Sequence, residues 1–405
     1  MHRRKFLQNT ATLTGAMLLH QQMMQAFALE KTDGKIRLGV IGCGQRGQGI
    51  LHILTDLRER FTVTALCDVL DFRFAESKKA GQLDKVKTYA DYRQLLDDKQ
   101  VDAVVIAVPL YLHFPVAQAA FDAGKHIYLE KTMTYSIPQA QELVGIAGRH
   151  GKQILQVGHQ YRYSPLYYKV RDMIDKGYLG KVTSIDCRWD RNGNWRRPLP
   201  DPSLEKQINW RMYKAYSGGL AAELLSHQLD YIHWAFKTRP DTLYASTGID
   251  FWKDGRETGD NLQATLRYEK AGMIGNFGAI CNNARDGYLF KLKGSKGTVS
   301  LLVDKGVYYP EAEQKKQLQT VDGVTGATKI EWNNEGGVPI ATGPMKDGTW
   351  YAFNDFYTCI TTGRQPASNI NTGATTAFAV HLINQSADTK QPQSWMPAYN
   401  LPGIE

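Results

Sequence analysis

The stretch KIRLGVIGCGQRG (35–47) decides the fold. KIRLGVIG is a short apolar run with alternating edges. Gly42-Cys43-Gly44-Gln45-Arg46-Gly47 is a G-x-G-x-x-G turn that opens into the helical stretch QGILHILTDL. In a strand, turn and helix of this kind each glycine has its own task. Gly42 permits the tight turn, Gly44 lets backbone approach a pyrophosphate, and Gly47 lets the helix pack close to the strand. The helix N-terminus then offers free N–H groups and the positive end of its dipole to phosphates. The motif alone is weak, and its context strengthens it. FTVTALCD (61–68) ends a second strand at Asp68. A carboxylate there accepts hydrogen bonds from an adenosine ribose and repels a 2′-phosphate, which favours NAD over NADP. The competing reading of Asp68 is a plain turn acid at a strand end.

The alternation continues. TYADYRQLLDD reads as turn and helix, and VDAVVIAVP (101–109) as a fully apolar strand of the kind buried in parallel sheets. FPVAQAAFDAG (114–124) is helical with Gly124 at its end, and KHIYLEK (125–131) is a strand. IPQAQELVGIAGRHG is a helix with Pro138 in its first turn, and KQILQVGHQYR (152–162) is another strand. Strands alternating with helices predict an α/β fold built on a doubly wound parallel sheet, with its ligand at the C-terminal strand ends.

From about Lys181 the pattern changes. VTSIDCRWD, DTLYASTGIDFW, NLQATLRYE, MIGNFGAI and LFKLKGSKGTVSLL are short alternating segments rich in β-branched and aromatic residues. They predict a C-terminal α+β domain with a large, mostly antiparallel sheet, one face buried and one open to a partner. Between the first two lies DRNGNWRRPLPDPSLEKQINWRMYKAYSGG, with Trp189 just before it. Its Trp195, Arg196, Arg197, Trp210, Arg211 and Tyr213 suit stacking on sugar rings and bonding to hydroxyls or carboxylates. Many of these are structural. Arg211, Trp210 and Tyr161 are selected as substrate contacts. The polar stretch 312–329 reads as a loop or hairpin excursion.

The chain has 405 residues, 42% of them hydrophobic and 22% charged, which describes a water-soluble globular protein of two ordinary domains. The net charge is +9, of which Arg3, Arg4 and Lys5 supply three. The remaining basic residues are dispersed, so charge does not point to nucleic acid. Five cysteines (Cys43, Cys67, Cys187, Cys281 and Cys359) form no C-x-x-C pair and no zinc pattern, so free thiols and no metal site are expected.

Three strand ends and one helix make the site specific. LYLH follows Pro109 and places Leu110 and His113. Glu130-Lys131-Thr132 follows HIYL, and His159-Gln160-Tyr161-Arg162 follows ILQVG. SGGLAAELLSHQLDYIHW (217–234) sets Glu223 and His227 four apart, on one helix face. These markers, in this order, resemble the glucose–fructose oxidoreductase/inositol dehydrogenase family (Gfo/Idh/MocA). The resemblance runs from about Lys35 to the C-terminus and includes the closing DFYTCITTGRQP (355–366). It implies a dinucleotide site at Gly42, Gly44, Gln45, Arg46, Gly47 and Asp68. It implies nicotinamide-side contacts from Pro109, Leu110, His113, Glu130, Lys131, Gln160 and Arg162, and a proton-exchanging histidine at His227. Two departures stand out. Thr132 occupies the proline of the family's Glu-Lys-Pro motif; a cis bond before Thr costs about 3–4 kcal/mol, so a trans bond is expected. Glu223 stands where the family usually has Asp.

Chemistry agrees with the resemblance. Oxidising a secondary alcohol needs a base for the hydroxyl proton and a hydride acceptor, which a nicotinamide supplies. His227 can be the base, Lys131 can stabilise the developing alkoxide, and Glu223 can hold a sugar hydroxyl or tune His227. Taken singly, a lysine after a strand is usually solvated and a histidine on an amphipathic helix usually packed. Together they point to a carbohydrate oxidoreductase with tightly bound NAD that interconverts a hydroxyl and a ketone, at C3 by family resemblance. An NAD-dependent glycosidase of the same fold is the alternative, with Tyr161 or Tyr213 serving an elimination step. A non-catalytic sugar-binding protein is the other. The family also implies a dimer or tetramer.

The expected layout is a leader over 1–28, a Rossmann domain over 33–160, a substrate and oligomerisation domain over 161–370, and a C-terminal helix and tail over 371–405 that pack back on the Rossmann domain. The leader reading rests on Arg3-Arg4-Lys5-Phe6-Leu7, the weakly apolar ATLTGAMLL (11–19) and the small residues of Ala26-Phe27-Ala28. It resembles a twin-arginine signal cleaved after Ala28, which implies a periplasmic location. A frayed basic terminus and a membrane anchor are the other readings. The apolar run falls well short of the ~18–20 residues of a span. A twin-arginine route exports folded proteins, so an exported NAD enzyme could carry its cofactor with it.

Overall fold

A computed structural model describes residues 34–285, 287–320, 333–340 and 343–402. The leader reading over 1–28 lies outside these residues. The first sheet has six strands: β1 (Ile36–Ile41), β2 (Phe61–Cys67), β3 (Lys87–Tyr89), β4 (Ala103–Ile106), β5 (His126–Leu129) and β6 (Leu155–Val157). All pair in parallel in the order β3-β2-β1-β4-β5-β6. This is the Rossmann order, and its reversal between β1 and β4 opens the crevice where such sheets bind ligands. β4 is buried at every residue, as its unbroken AVVI run requires. The crossovers are α1 (Gln45–Leu54), α2 (Phe72–Gly81), α3 (Tyr92–Asp97), α4 (His113–Asp122) and α5 (Ile137–Arg149). Local chemistry sets their ends. Asp91 accepts from Arg93 N at the start of α3, and Ser136 accepts from Gln139 N ahead of Pro138 at the start of α5. The strand read over 152–162 is three residues long, because Gly158 packs against the Glu130 carboxylate and the chain then turns through Gln160–Tyr163.

After α6 (Pro165–Asp175) comes a second sheet of nine strands. These are β7 (Val182–Trp189), β8 (Thr242–Gly248), β9 (Asn261–Tyr268), β10 (Met273–Ile280), β11 (Tyr288–Gly294), β12 (Gly297–Leu301), β13 (Gly306–Pro310), β14 (Val338–Pro339) and β15 (Gln393–Ser394), in the order β14-β13-β12-β11-β7-β10-β9-β8-β15. All pairs are antiparallel except β7 with β10. β9 alternates strictly between buried and more open residues, so one face carries the core. The stretch 312–329, expected as a loop, begins as helix α8 (Ala312–Thr320). Its AEQKKQLQT run holds good helix formers and no glycine, which explains the correction. The rest of that stretch lies outside the described residues. All five cysteines are buried and unbridged.

Three helices tie the halves together. α7 (Ser226–Phe236) is buried at nine of its positions. α9 (Gly348–Thr362) lays Phe353 against Tyr128 of β5 and Phe61 of β2. α10 (Ile370–Thr389) starts on the Asn369 cap and touches both sheets. Gly373 packs on Val157 of β6, and Ser386 Oγ accepts from Ala245 N of β8 at 3.0 Å. His381 Nε2 lies 2.9 Å from Thr134 O, and Asn384 Nδ2 donates to Gly218 O at 2.9 Å. No helix among the described residues is long and apolar enough to cross a membrane.

Candidate active site

The C-terminal ends of β1, β2, β4 and β5 open into one cavity of about 640 Å³, closed on its far side by residues from the second half. Gly42 turns the chain with φ 97°, and a Cβ there would come within 2.5 Å of Ala107 O. A Cβ on Gly47 would strike the Gly42 carbonyl, so α1 can start this close to β1 only without one. The face of Gly44 is open, its nearest neighbour being the Arg73 guanidinium at 3.7 Å. This is the backbone cradle a pyrophosphate needs. Asp68 stands at the end of β2. Its carboxylate accepts from Cys43 N at 2.7 Å and Leu70 N at 2.9 Å, and pairs with Arg73 at 3.3 Å. Those bonds fix the glycine turn and the carboxylate together, beside the space a ribose would take. The residues present therefore fit a dinucleotide.

At the other end lies a cluster of polar and titratable side chains. Pro109, Leu110, His113, Glu130, Lys131, Gln160, Trp210, Arg211, Glu223 and His227 all line the cavity. Glu130 is buried and accepts from Arg46 Nε at 2.7 Å. Lys131 Nζ donates to Glu223 O at 2.9 Å and, at 3.4 Å, to Ala222 O. An ammonium has three protons, so one is left for the cavity. The Lys131–Thr132 bond is cis, which corrects the trans expectation. Tertiary contacts hold this segment: Thr132 Oγ1 donates to Ala222 O at 3.2 Å, and Thr132 O lies 2.8 Å from His113 Nδ1. His113 is thus a staple between strand ends, its other nitrogen 3.0 Å from Val108 O.

Glu223 does not sit on a regular α-helix. It lies in a π-helical turn, Ala221–Leu225, that feeds α7. Such turns are frequent at functional sites. Arg211 Nε donates to Glu223 Oε2 at 2.8 Å and its guanidinium stacks 4.3 Å above Trp210. Burial favours a neutral Glu223, but Arg211 and Lys131 outweigh it and hold the carboxyl below its usual range. Burial, helped by Lys131, His159 and Arg46, drives His227 well below the usual imidazole range. Burial also lowers Lys131, against the pull of Glu223 and Glu130.

Two selected residues sit elsewhere. Arg162 is not at the cavity. It is fully buried and bidentate to Asp230 at 2.6 and 2.8 Å, with a further bond to Ala367 O. A guanidinium this deep needs a carboxylate, and α7 brings Asp230 to it. Tyr161 is not a lining residue either. It stacks on Tyr167 and backs the His227 ring at a centroid distance of 4.7 Å. Tyr213 donates to Glu205 at 2.9 Å. The reading from sequence missed Arg73, Tyr92, Tyr111, Lys206 and Tyr216 and named Arg197 without selecting it; all of these also line the cavity. Arg73, on the helix after Asp68, could have been found by its spacing. The others are brought in by loops and by the second half, which spacing cannot reveal. Among the described residues no group of His, Cys, Asp and Glu is placed to hold a metal ion.

Residues 36–159 match the model of the GFO/IDH/MocA oxidoreductase family for its NAD-binding Rossmann fold, and residues 167–300 match the model of the family's C-terminal domain. The chain belongs to the GFO/IDH/MocA family. Among relatives, it is 29% identical over 198 residues to the inositol 2-dehydrogenase/D-chiro-inositol 3-dehydrogenase of Lactiplantibacillus plantarum, covering 49% of this chain and 51% of that protein. The chain spans about half the length of the curated relatives it matches first. Among solved structures, it superposes on aldose-aldose oxidoreductase from Caulobacter crescentus complexed with glycerol, with a TM-score of 0.70 and 18% identity over 89% of this chain and all of that one. It also superposes on levoglucosan dehydrogenase in complex with NADH and levoglucosan, with a TM-score of 0.71 and 19% identity over 89% and 99%. At these identities the likeness is one of fold.

Within this GFO/IDH/MocA chain the electrostatics give a pH prediction. With His227 as proton acceptor and Lys131 as hydrogen-bond donor, the first has to be neutral and the second charged. Lowering both moves the working window down. A pH profile of kcat/KM is expected to lose its acid limb only below the ordinary imidazole range, and to fall on the alkaline side below the ordinary lysine range. An acid limb at pH 6.5 or above would remove His227 as the base.

Proposed function

We propose that this chain is an NAD-dependent oxidoreductase of a sugar or glycoside, interconverting a secondary hydroxyl and a ketone, with its cofactor held tightly. One observation carries the reading: Lys131, His227 and the Arg211–Glu223 pair face the same cavity as the glycine cradle and Asp68. When bound, a nicotinamide supplies the hydride acceptor. The chain does the rest. His227 accepts the hydroxyl proton, the free proton of Lys131 bonds the same oxygen as negative charge grows on it, and Glu223 with Arg211 holds neighbouring hydroxyls. Asp68 favours NAD over NADP. Relatives named for inositols, aldoses and levoglucosan support a polyhydroxylated substrate. The C3 assignment rests on the resemblance.

The glycosidase alternative has less support. Lys131 is present, and neither tyrosine offered for an elimination step stands free in the cavity: Tyr161 lies behind His227 and Tyr213 is tied to Glu205. We also propose twin-arginine export to the periplasm, supported by the N-terminal sequence, and a homo-oligomer. The open face of the second sheet exposes Tyr244 and Ile274, which suits pairing between copies. One preparation tests these statements: protein taken from the periplasmic fraction and sized in solution, then incubated without added cofactor with a panel of glycosides, with and without a keto-sugar. A product two hydrogens lighter, oxidised at C3 and formed only with the keto-sugar, is expected. Free sugar without the keto-sugar would replace this reading by the glycosidase. Absence from that fraction would remove the export reading, and a monomer the oligomer.

A further inference from the structure

The second half reaches over the dinucleotide end of the cavity through one loop. Between β7 and the π-helical turn the chain closes on itself. Arg197 N donates to Asn209 Oδ1 at 2.7 Å, and Asn209 Nδ2 donates back to Arg197 O at 3.2 Å. Asn209 is buried and also donates to Glu205 Oε2 at 2.9 Å, while Glu205 Oε1 accepts from Tyr213 and Arg196. Asp201 accepts from Ser203 N at the start of the short helical turns between. A loop pinned at its neck in this way is a compact, ordered body, with its ends close together and its own side chains filling it.

Its position matters. Arg197, Ser203, Lys206, Gln207 and Ile208 line the cavity. Arg197 Nη2 donates to Gln45 Oε1 at 2.6 Å, on the first residue of α1. Arg197 and Ile208, with Gly44, Gln45 and Arg73, also line a second, more open groove. The loop is therefore a roof one layer thick, hinged on the second half and latched to the glycine turn. Its chemistry suits what lies beneath. Among the described residues neither Arg197 nor Lys206 pairs with a carboxylate; Arg197 stands at the cradle through Gln45, and Lys206 lines the same cavity with its Nζ 5.8 Å from the centroid of the Tyr213 ring.

Resting on the functional reading above, we propose that the Arg197–Asn209 loop is part of the dinucleotide site. It straps a pyrophosphate-bearing cofactor against the glycine turn, so that the cofactor leaves only when the Arg197–Gln45 latch opens. The cofactor's retention then depends on the second half of the chain as much as on the Rossmann sheet.

The test is the rate at which the full chain, loaded with NADH, releases it into excess NAD, read by nicotinamide fluorescence. Arg197→Ala is expected to release at least tenfold faster, with Arg197→Lys in between, because a lysine keeps the charge but not the fixed planar donor that meets Gln45. Lys206→Ala, at an exposed position, is expected to speed release several-fold without lowering the melting temperature. Release from the wild type is expected to quicken with salt, and that dependence to shrink in the double Ala variant. Rates within twofold of the wild type in Arg197→Ala and Lys206→Ala would overturn the strap alone. A wild-type chain that binds no dinucleotide would overturn the functional reading and the strap together.

Discussion

Lys131→Ala is expected to lower kcat by about 10²–10³-fold while the chain stays folded and holds its cofactor. The argument is one of charge placement. Lys131 Nζ is anchored on the Glu223 carbonyl, so its remaining proton has a fixed direction into the cavity. A donor aimed in advance at an oxygen that gains charge stabilises the transition state more than the ground state, and such an interaction appears in kcat rather than KM. Little of the fold depends on it, since the carbonyls it bonds lie at a cavity wall that water can reach after truncation. Single-turnover oxidation of a glycoside, followed by absorbance of the reduced nicotinamide, separates the chemical step from product release. A variant with wild-type single-turnover rate would mean that Lys131 only binds. Lys131→Arg would not restore the rate, because a planar fork cannot reproduce the geometry of a compact ammonium.

Asp230→Ala is expected to be the most damaging single change to stability, at about 3–5 kcal/mol, or a melting temperature lower by roughly 10 °C. Asp230 and Arg162 are each about 1% exposed and share two short bonds. Removing the carboxylate leaves a guanidinium with nowhere to find water. His159 cannot replace the lost charge. Its Nδ1 lies 3.3 Å from Asp230, outside hydrogen-bonding alignment, and burial pushes its pKa down to about 4, so it is neutral at ordinary pH. Burial alone would raise the Asp230 carboxyl, but the charge and hydrogen bonds of Arg162 hold it low. The sign follows: the pair's stabilisation is complete above the usual carboxylate range and is lost as pH falls through the lowered value. Urea unfolding of wild type and Asp230→Ala at pH 7 checks the figure. A loss below 1 kcal/mol would show that Arg162 finds another partner.

Much of this molecule is readable from its chain. The glycine turn, Asp68, Lys131 and His227 could be placed because each follows a strong local pattern: a buried strand that must end, then a turn or a helix. The cavity shows them together. Arg162 shows where such reading stops. It follows a strand end like the others, but it points to a carboxylate on a helix 68 residues away, and no local rule announces that pairing. Tyr161 flanks a strand-end marker in sequence, yet its ring forms a wall behind His227. The cis geometry at Thr132 and the roof from Arg197 to Asn209 depend on contacts between distant segments, which a one-dimensional pattern does not contain.

The last long helix has a consequence for the cavity. α10 touches Thr134, three residues beyond Lys131, and Gly218, which opens the turn that carries Glu223. It also packs on β6 and β8, one strand from each sheet. Except for the two-residue β15, both sheets precede α10 in the chain, and α10 bridges them. Lys131 and its carbonyl anchor on Glu223, 92 residues apart, therefore lean on one common support. A substitution that loosens α10 is expected to be felt at both walls of the cavity at once, although the helix supplies no lining residue.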